Sequence, residues 1–277
     1  MPCVSLTGFA SNMKNKHRKV VITGITGVLG QALGKRFNQE GASVIGVSRS
    51  NQFEAPWLSQ LLTMDQDSSA DVDRILDLDP DVIILNAGQI EKEIGDHGEP
   101  LPQHVASINR INYQWPCDVA MGSMNRSWTH PLDIIAIGSI ADCCPSSFGP
   151  VYHSSKIALH YFWTGAGPIF HAGSRQQIRL RLYRPGAIKS DLAWAPVNRL
   201  IEGGKGHQMR KKRVAAAPSG EQVAEHFHRW FLNPNAWVGG WGEPISFKSL
   251  RMIFGCFPNL FYKMQCWAWK KQSRFSQ

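Results

Sequence analysis

Three side chains in this sequence can together move a proton onto a developing alkoxide: Ser139, Tyr152 and Lys156. Reducing a ketone to an alcohol requires a proton donor at the carbonyl oxygen. A phenol is a poor acid at neutral pH unless its anion is stabilised, and a lysine ammonium one helical turn away lowers its pKa by charge attraction. Tyr152-His153-Ser154-Ser155-Lys156 opens a predicted helix, so Tyr152 and Lys156, four apart, share a face. Ser139 stands just past a predicted strand, where its hydroxyl can hydrogen-bond the carbonyl oxygen and hold it toward Tyr152. Singly each is unremarkable, since Tyr–Lys pairs at this spacing are common on helix faces and serines are common after strands. Their order behind a Gly-rich first turn gives them weight.

That turn is Thr23-Gly24-Ile25-Thr26-Gly27-Val28-Leu29-Gly30, entered from the apolar run Val20-Val21-Ile22 and left by a helix reaching about residue 39. Strand, Gly-rich turn and helix present bare backbone N–H groups to a phosphate, and the helix dipole favours an anion there. Gly24 and Gly27 tolerate unusual dihedrals, and Gly30 lets the helix pack close to the strand.

The elements that must position these groups alternate in type. Strands are predicted at 43–47, 61–62, 82–85, 132–137 and 178–183, with a last one at 244–247. Helices are predicted at 69–78, around Asn109 and Asn112, from Tyr152 to a stop or kink at Gly165–Pro168, and from a Ser219/Gln222 capping box to about 231. Residues 191–213 read as a long loop or lid, and residues 1–19 as a tail. This alternation predicts an α/β fold with a doubly wound parallel sheet, helices on both faces. The polar and glycine clusters at 24–30, 48–49, 65, 86–88, 138–139 and 185–186 each follow a strand, so they share one rim. At the second strand's end, Ser48 and Arg49 stand where an acidic residue would hold an adenosine 2′-hydroxyl. A guanidinium beside a hydroxyl suits a 2′-phosphate instead.

Composition agrees with an ordinary enzyme body. The 43% apolar content suffices for a core. The six cysteines show no CxxC pair, which argues against structural zinc or a disulfide framework and for reduced thiols, with Cys143 and Cys144 as buried small residues. No secretory signal and no 18-residue apolar run is present, so a cytoplasmic location is expected. Residues 1–198 carry 17 Lys/Arg against 17 Asp/Glu, whereas residues 199–277 carry 13 against 4 and so supply the whole net charge of +9.

On these motifs the chain resembles the short-chain dehydrogenase/reductase family over about residues 20–245. Asn86-Ala87-Gly88 matches the family's Asn-Ala-Gly motif, and Asn112, Ser139, Tyr152 and Lys156 fall at the order of its catalytic tetrad. The resemblance implies a single Rossmann-fold catalytic domain over residues 20–247 and an NADP(H) cofactor. It implies a small carbonyl or alcohol substrate, with Tyr152 as general acid/base, Ser139 orienting substrate, Lys156 on the ribose and Asn112 holding a proton-relay water. Gly24, Thr26, Gly27, Val28 and Leu29 would meet the cofactor phosphates, and Ser48 and Arg49 the 2′-phosphate. Asp65 and Gln66 would lie by the adenine, Asn86, Ala87 and Gly88 along the cofactor, and Pro185, Gly186, Ile188 and Ser190 by the nicotinamide amide. Three departures are visible, the basic C-terminal third of the chain being one. The 24/27/30 glycine spacing is closer to the extended branch, which includes sugar-nucleotide epimerases and dehydratases, and Gly165–Pro168 interrupts the helix through which relatives commonly associate, leaving a homodimer as the assembly considered. Epimerase or dehydratase chemistry, and a non-catalytic NADP-binding regulator or scaffold, are the alternative readings.

Residues 248–277 form a basic, aromatic amphipathic extension, divided by Pro258. Its apolar residues recur near helical spacing between lysines, which suits a membrane interface through 250–271, packing on the enzyme body, or a subunit contact. The run Arg210-Lys211-Lys212-Arg213 reads as a solvated lid, and no nucleic-acid partner is expected.

Overall fold

The computed structural model describes residues 18–66, 68–174, 177–204 and 206–275. Residues 1–17 of the predicted tail lie outside that range. Seven strands are formed: β1 Lys19–Thr23, β2 Ser43–Ser48, β3 Gln60–Thr63, β4 Val82–Leu85, β5 Leu132–Ile137, β6 Ile178–Pro185 and β7 Val238–Trp241. They make one all-parallel sheet in the order β3-β2-β1-β4-β5-β6-β7. Strands β4 and β5 are buried at every position, as expected for a parallel sheet covered on both faces. The order reverses between β1 and β4, so the segments after these two strands flank the topological switch point, where open α/β sheets bind ligands.

Helices cover both faces. α1 (Val28–Gln39) buries Leu29, Leu33 and Phe37 on one face of the sheet. On the other lie α2 (Ser69–Leu76), then α3 (Pro102–Asn109), which continues through a π-helical turn at Arg110–Gln114 into α4 (Trp115–Met124), and α5 (Pro150–Gly173). The Ser68 hydroxyl caps α2 by accepting from Asp71 N–H. Beyond β6 come α6 (Asp191–Pro196), a π-helical turn at Val197–Ile201, α7 (His207–Ala215) and α8 (Gly220–Phe231). The Ser219/Gln222 capping box is formed, and α8 joins α1 in burying Val223, Phe227 and Phe231.

Four expectations are corrected. First, α5 does not stop at Gly165–Pro168; it runs through Pro168 to Gly173. Proline removes one helical hydrogen bond, but the turn beyond it is held by buried Phe170 in the sheet-facing core. Second, residues 191–201 and 207–213 are helical rather than a loop, and Leu200 and Ile201 join a small core with Phe148 and Trp269. Third, 244–247 is not a strand: Pro244 precedes helix α9 (Ile245–Cys256), where Ile245 is 82% exposed. The seventh strand lies earlier, disguised by Gly239 and Gly240. A Cβ on Gly239 would lie 2.2 Å from the Trp230 indole nitrogen, and one on Gly240 would lie 2.6 Å from Arg184 O. Fourth, the predicted α2 end at residue 78 is drawn back to Leu76. After α9, α10 (Pro258–Gln272) begins at the predicted Pro258 break. No helix among the described residues is long and apolar enough to cross a membrane.

Candidate active site

The Gly-rich turn is shaped by close backbone approach. Gly24 has φ +64°, and a Cβ there would lie 2.8 Å from Ala87 Cα. A Cβ on Gly30 would lie 2.2 Å from Gly24 O. Asn86 fastens the turn to the end of β4: its Nδ2 donates to Thr23 O and Gly24 O, both at 3.1 Å. In return Thr23 Oγ1 accepts the N–H groups of Asn86 and Ala87, both at 3.0 Å. Asn86 is thus a structural clasp, and Ala87 is the backbone that the turn abuts. Gly27 caps α1 without a side-chain acceptor, and Gln31 N–H is the first to close on Gly27 O, at 2.9 Å. The N–H groups of Val28, Leu29 and Gly30 therefore stand at the bare helix start, which is an anion-binding arrangement. Thr26 and Val28 are exposed beside them and Leu29 is buried beneath.

At the end of β2, Ser48 is buried and its Oγ accepts Ser50 N–H at 3.1 Å, while Arg49 is exposed and forms no ion pair among the described residues. After β3, Asp65 is exposed. Gln66 is buried with φ +62°, and its Oε1 has no partner among the described residues. Pro185 ends β6, and Gly186 N–H donates to Trp241 O at 2.7 Å. Ile188 and Ser190 follow, joined by a Ser190 Oγ to Ile188 O bond of 3.1 Å.

The proton-transfer group gathers between β5 and α5. Ser139 heads a 3-10 turn (Ile140–Cys143), accepting Ala141 N–H at 3.1 Å, and its side chain faces the Tyr152 phenol. Lys156, one turn along α5, is buried with Nζ 2.8 Å from Ile137 O and 5.8 Å from the Tyr152 ring centroid. A Cβ on Gly88 would lie 3.9 Å from that Nζ and 3.5 Å from Asn112 Oδ1, so the end of β4 faces the same space. Asn112 sits in the π-helical turn, a feature frequent at functional sites. Its amide is held on both sides: Oδ1 accepts Gln89 N–H at 2.8 Å, and Nδ2 donates to Gln89 O at 2.9 Å and Ser155 Oγ at 3.0 Å.

The electrostatics correct one expectation. On balance the Tyr152 phenol is raised here, not lowered. Burial pushes the phenol above its ordinary value, the Ser139 hydrogen bond opposes this, and Asp142 and Glu91 add to it. Burial brings Lys156 down to about 8, with Asp142 opposing. The lysine Nζ donates to Ile137 O.

Two buried clusters support this group and escaped sequence reasoning. Glu91 Oε1 accepts Val151 N–H at 2.8 Å and Tyr152 N–H at 3.3 Å, capping α5 from a distant loop, while its Oε2 lies 3.5 Å from Arg199 Nη2. Asp142 takes Arg184 Nε at 2.6 Å, a second bond from Arg184 Nη2, and His160 Nδ1 at 2.8 Å. Burial disfavours the Asp142 carboxylate, but its bonds to His160 and Arg184 prevail and hold it below the ordinary range. No local signal marks either acid, since every partner is remote in sequence. The paired Cys143 and Cys144 are buried, free thiols with sulfurs 3.4 Å apart. A separate cavity of about 380 Å³ between the far half of α5 and the β6–β7 edge contains none of these groups.

Known proteins share this fold. The short chain dehydrogenase family profile matches residues 18–199. An uncharacterised oxidoreductase of Staphylococcus epidermidis is 26% identical over 161 residues, spanning 53% of this chain and 69% of its own length. A short chain dehydrogenase of Burkholderia cenocepacia, solved in complex with NADP, superposes with a TM-score of 0.69 at 15% identity over 91% of this chain and 99% of its own. BdcA, solved with NADPH, gives 0.62 at 20% identity over 80% of this chain and 91% of its own.

Proposed function

The chain belongs to the short-chain dehydrogenase family, and from that premise we propose that it is an NADPH-dependent oxidoreductase that reduces a small carbonyl compound to an alcohol, or runs the reverse. The observation that carries the reading is the meeting of Ser139, Tyr152 and Lys156 at the rim beside Gly88. The residues at the rim fit a dinucleotide phosphate. Gly24 and Gly30 let the turn close tightly on Ala87 and on its own backbone, the start of α1 has no side-chain cap, and Gln66 offers a buried acceptor without a partner among the described residues. Val28, Leu29 and Gly30 N–H groups would hold the pyrophosphate, Arg49 with Ser48 the 2′-phosphate, Asp65 and Gln66 the adenine, and Ile188 and Ser190 the nicotinamide amide. When bound, the cofactor supplies or accepts the hydride.

The chain's own part is proton handling. Ser139 Oγ would donate to the substrate carbonyl and so orient it toward Tyr152. Tyr152 would give its proton to the oxygen as negative charge develops there. A phenol held protonated by burial is the correct form for a donor. Lys156 would hold the ribose, and its ammonium would repay part of the phenolate's cost once the proton leaves. Asn112 positions Ser155 and the Gln89 loop around them.

A homodimer through the outer faces of α4 and α5 belongs to the reading, supported by exposed Met121, Tyr161 and Ile169 and by the unbroken α5. So does a peripheral membrane contact of residues 250–271, supported by their exposed aromatics and lysines. The test of the activity is a screen of carbonyl and alcohol compounds against the purified chain, following NADPH absorbance. Turnover that Tyr152→Phe abolishes supports the reading. Conversion of a sugar nucleotide without net NADPH consumption would move the chain to epimerase or dehydratase chemistry, and NADPH binding without turnover of any compound would favour a regulator.

A further inference from the structure

Helices α9 and α10 have two unlike faces. Inward, Phe247, Leu250, Ile253 and Phe261 pack on Cys143 and Cys144. Gln265 Oε1 accepts Ser147 N–H at 3.2 Å, and Trp269 lies 5.5 Å from Phe148, ring centroid to centroid. The pair is thereby fixed to the loop that joins Ser139 to α5. Outward, Ile245, Lys248 and Met252 stand at i, i+3, i+7 on α9, and Leu260, Lys263, Trp267 and Lys270 at i, i+3, i+7, i+10 on α10. All seven are exposed. The corner between the helices is itself apolar, with Phe257 59% and Leu260 52% exposed and Phe254 beside them.

The charge on this face has one sign. From Pro244 to Gln277 the sequence holds six Lys/Arg and no Asp/Glu. Lys271 lies 4.6 Å from the centroid of the exposed Trp267 ring, pairing an apolar plane with a cation. A nucleic acid would answer the lysines but leave Phe257 and Leu260 in water. A second copy of the same face would bring like charges together. An anionic bilayer answers both features, because acyl chains receive the apolar corner and headgroup phosphates receive the lysines. Neither helix can cross a membrane, so the contact is interfacial.

We infer that the α9–α10 pair docks on an anionic lipid bilayer, with Met252, Phe254, Phe257 and Leu260 entering the headgroup–acyl boundary and Lys248, Lys263 and Lys270 meeting the phosphates. This rests on the peripheral contact proposed for residues 250–271 and names its lipid and its inserting residues. The test is co-sedimentation of the full chain with vesicles of phosphatidylcholine alone and of phosphatidylcholine with phosphatidylserine. The chain should pellet with the second and stay in solution with the first. Lys263→Glu with Lys270→Glu should weaken pelleting by at least about five-fold per lysine, and Phe257→Ser with Leu260→Ser by about ten-fold or more. NADPH fluorescence titration of each variant, expected unchanged, shows that the body remains folded. Equal pelleting on both vesicles overturns the anionic requirement. Retained pelleting of the Phe257/Leu260 variant overturns insertion of the corner while the peripheral contact stands. No pelleting on either vesicle overturns both, and does so without bearing on hydride transfer.

Discussion

Glu91 Oε1 lies 3.3 Å from the backbone nitrogen of Tyr152, so the residue proposed as proton donor is anchored by an acid 61 positions earlier. The same carboxylate pairs with Arg199, and both are buried. Removing one member of a buried pair leaves an uncompensated charge, at a cost of about 3–5 kcal/mol. Glu91→Leu should therefore destabilise the fold by about that amount in urea unfolding, and Glu91→Leu with Arg199→Leu should recover much of it. A single variant within about 1 kcal/mol of wild type would show that the cap and pair are idle.

Tyr152→Phe removes the phenol and leaves the ring that packs beside His153. Loss of a positioned general acid costs about 10²–10⁴-fold in rate. The variant should lose kcat on that scale while its NADPH affinity, read by fluorescence titration, stays within about three-fold, because the cradle is built from the β1, β2 and β4 ends. Full activity in the variant would remove Tyr152 from the mechanism.

Much of the scaffold was legible because buried parallel strands are unbroken apolar runs, as at 82–85 and 132–137, and because Tyr152 and Lys156 announce a shared face by spacing. β7 was not legible: half of it is exposed, and its glycines answer to Trp230 and Arg184, which only the folded chain brings near. Glu91 and Asp142 stayed hidden for the same reason. The arginines they meet lie 108 and 42 residues away, and a lone acid carries no mark of the cation it will meet. The phenol's raised pKa was also beyond reach, since it depends on how deeply the ring is buried and on the nearness of Asp142 and Glu91.

Arg49 is the residue proposed to set the cofactor preference. It stands exposed at the end of β2 with no acidic partner among the described residues, free to take a 2′-phosphate. A hydrogen bond to a charged group is worth about 1.5–3 kcal/mol. Arg49→Asp, which also repels the phosphate, should lower the NADPH-over-NADH ratio of kcat/KM by about ten-fold or more. An unchanged ratio would assign the 2′-phosphate to other groups.

Lys156 should give the fold a distinctive response to alkali. The unfolded chain keeps this proton up to the ordinary value of 10.5, whereas the buried amine releases it at about 8. Between those values the unfolded state binds the extra proton, so this residue's contribution to stability rises with pH across that window. Below pH 8 both states hold the proton and the folded state bears the whole cost of the buried charge, about 3 kcal/mol. Lys156→Met removes that cost together with the hydrogen bond to Ile137 O, worth about 1 kcal/mol. The variant should thus be more stable than wild type by about 2 kcal/mol near pH 7, and the gap should close and reverse as pH approaches 10. Urea unfolding of both proteins at several pH values measures the difference directly, and the subtraction cancels the other groups that titrate there. A difference that stays flat from pH 7 to about 10 would mean that the ammonium is not desolvated in the fold.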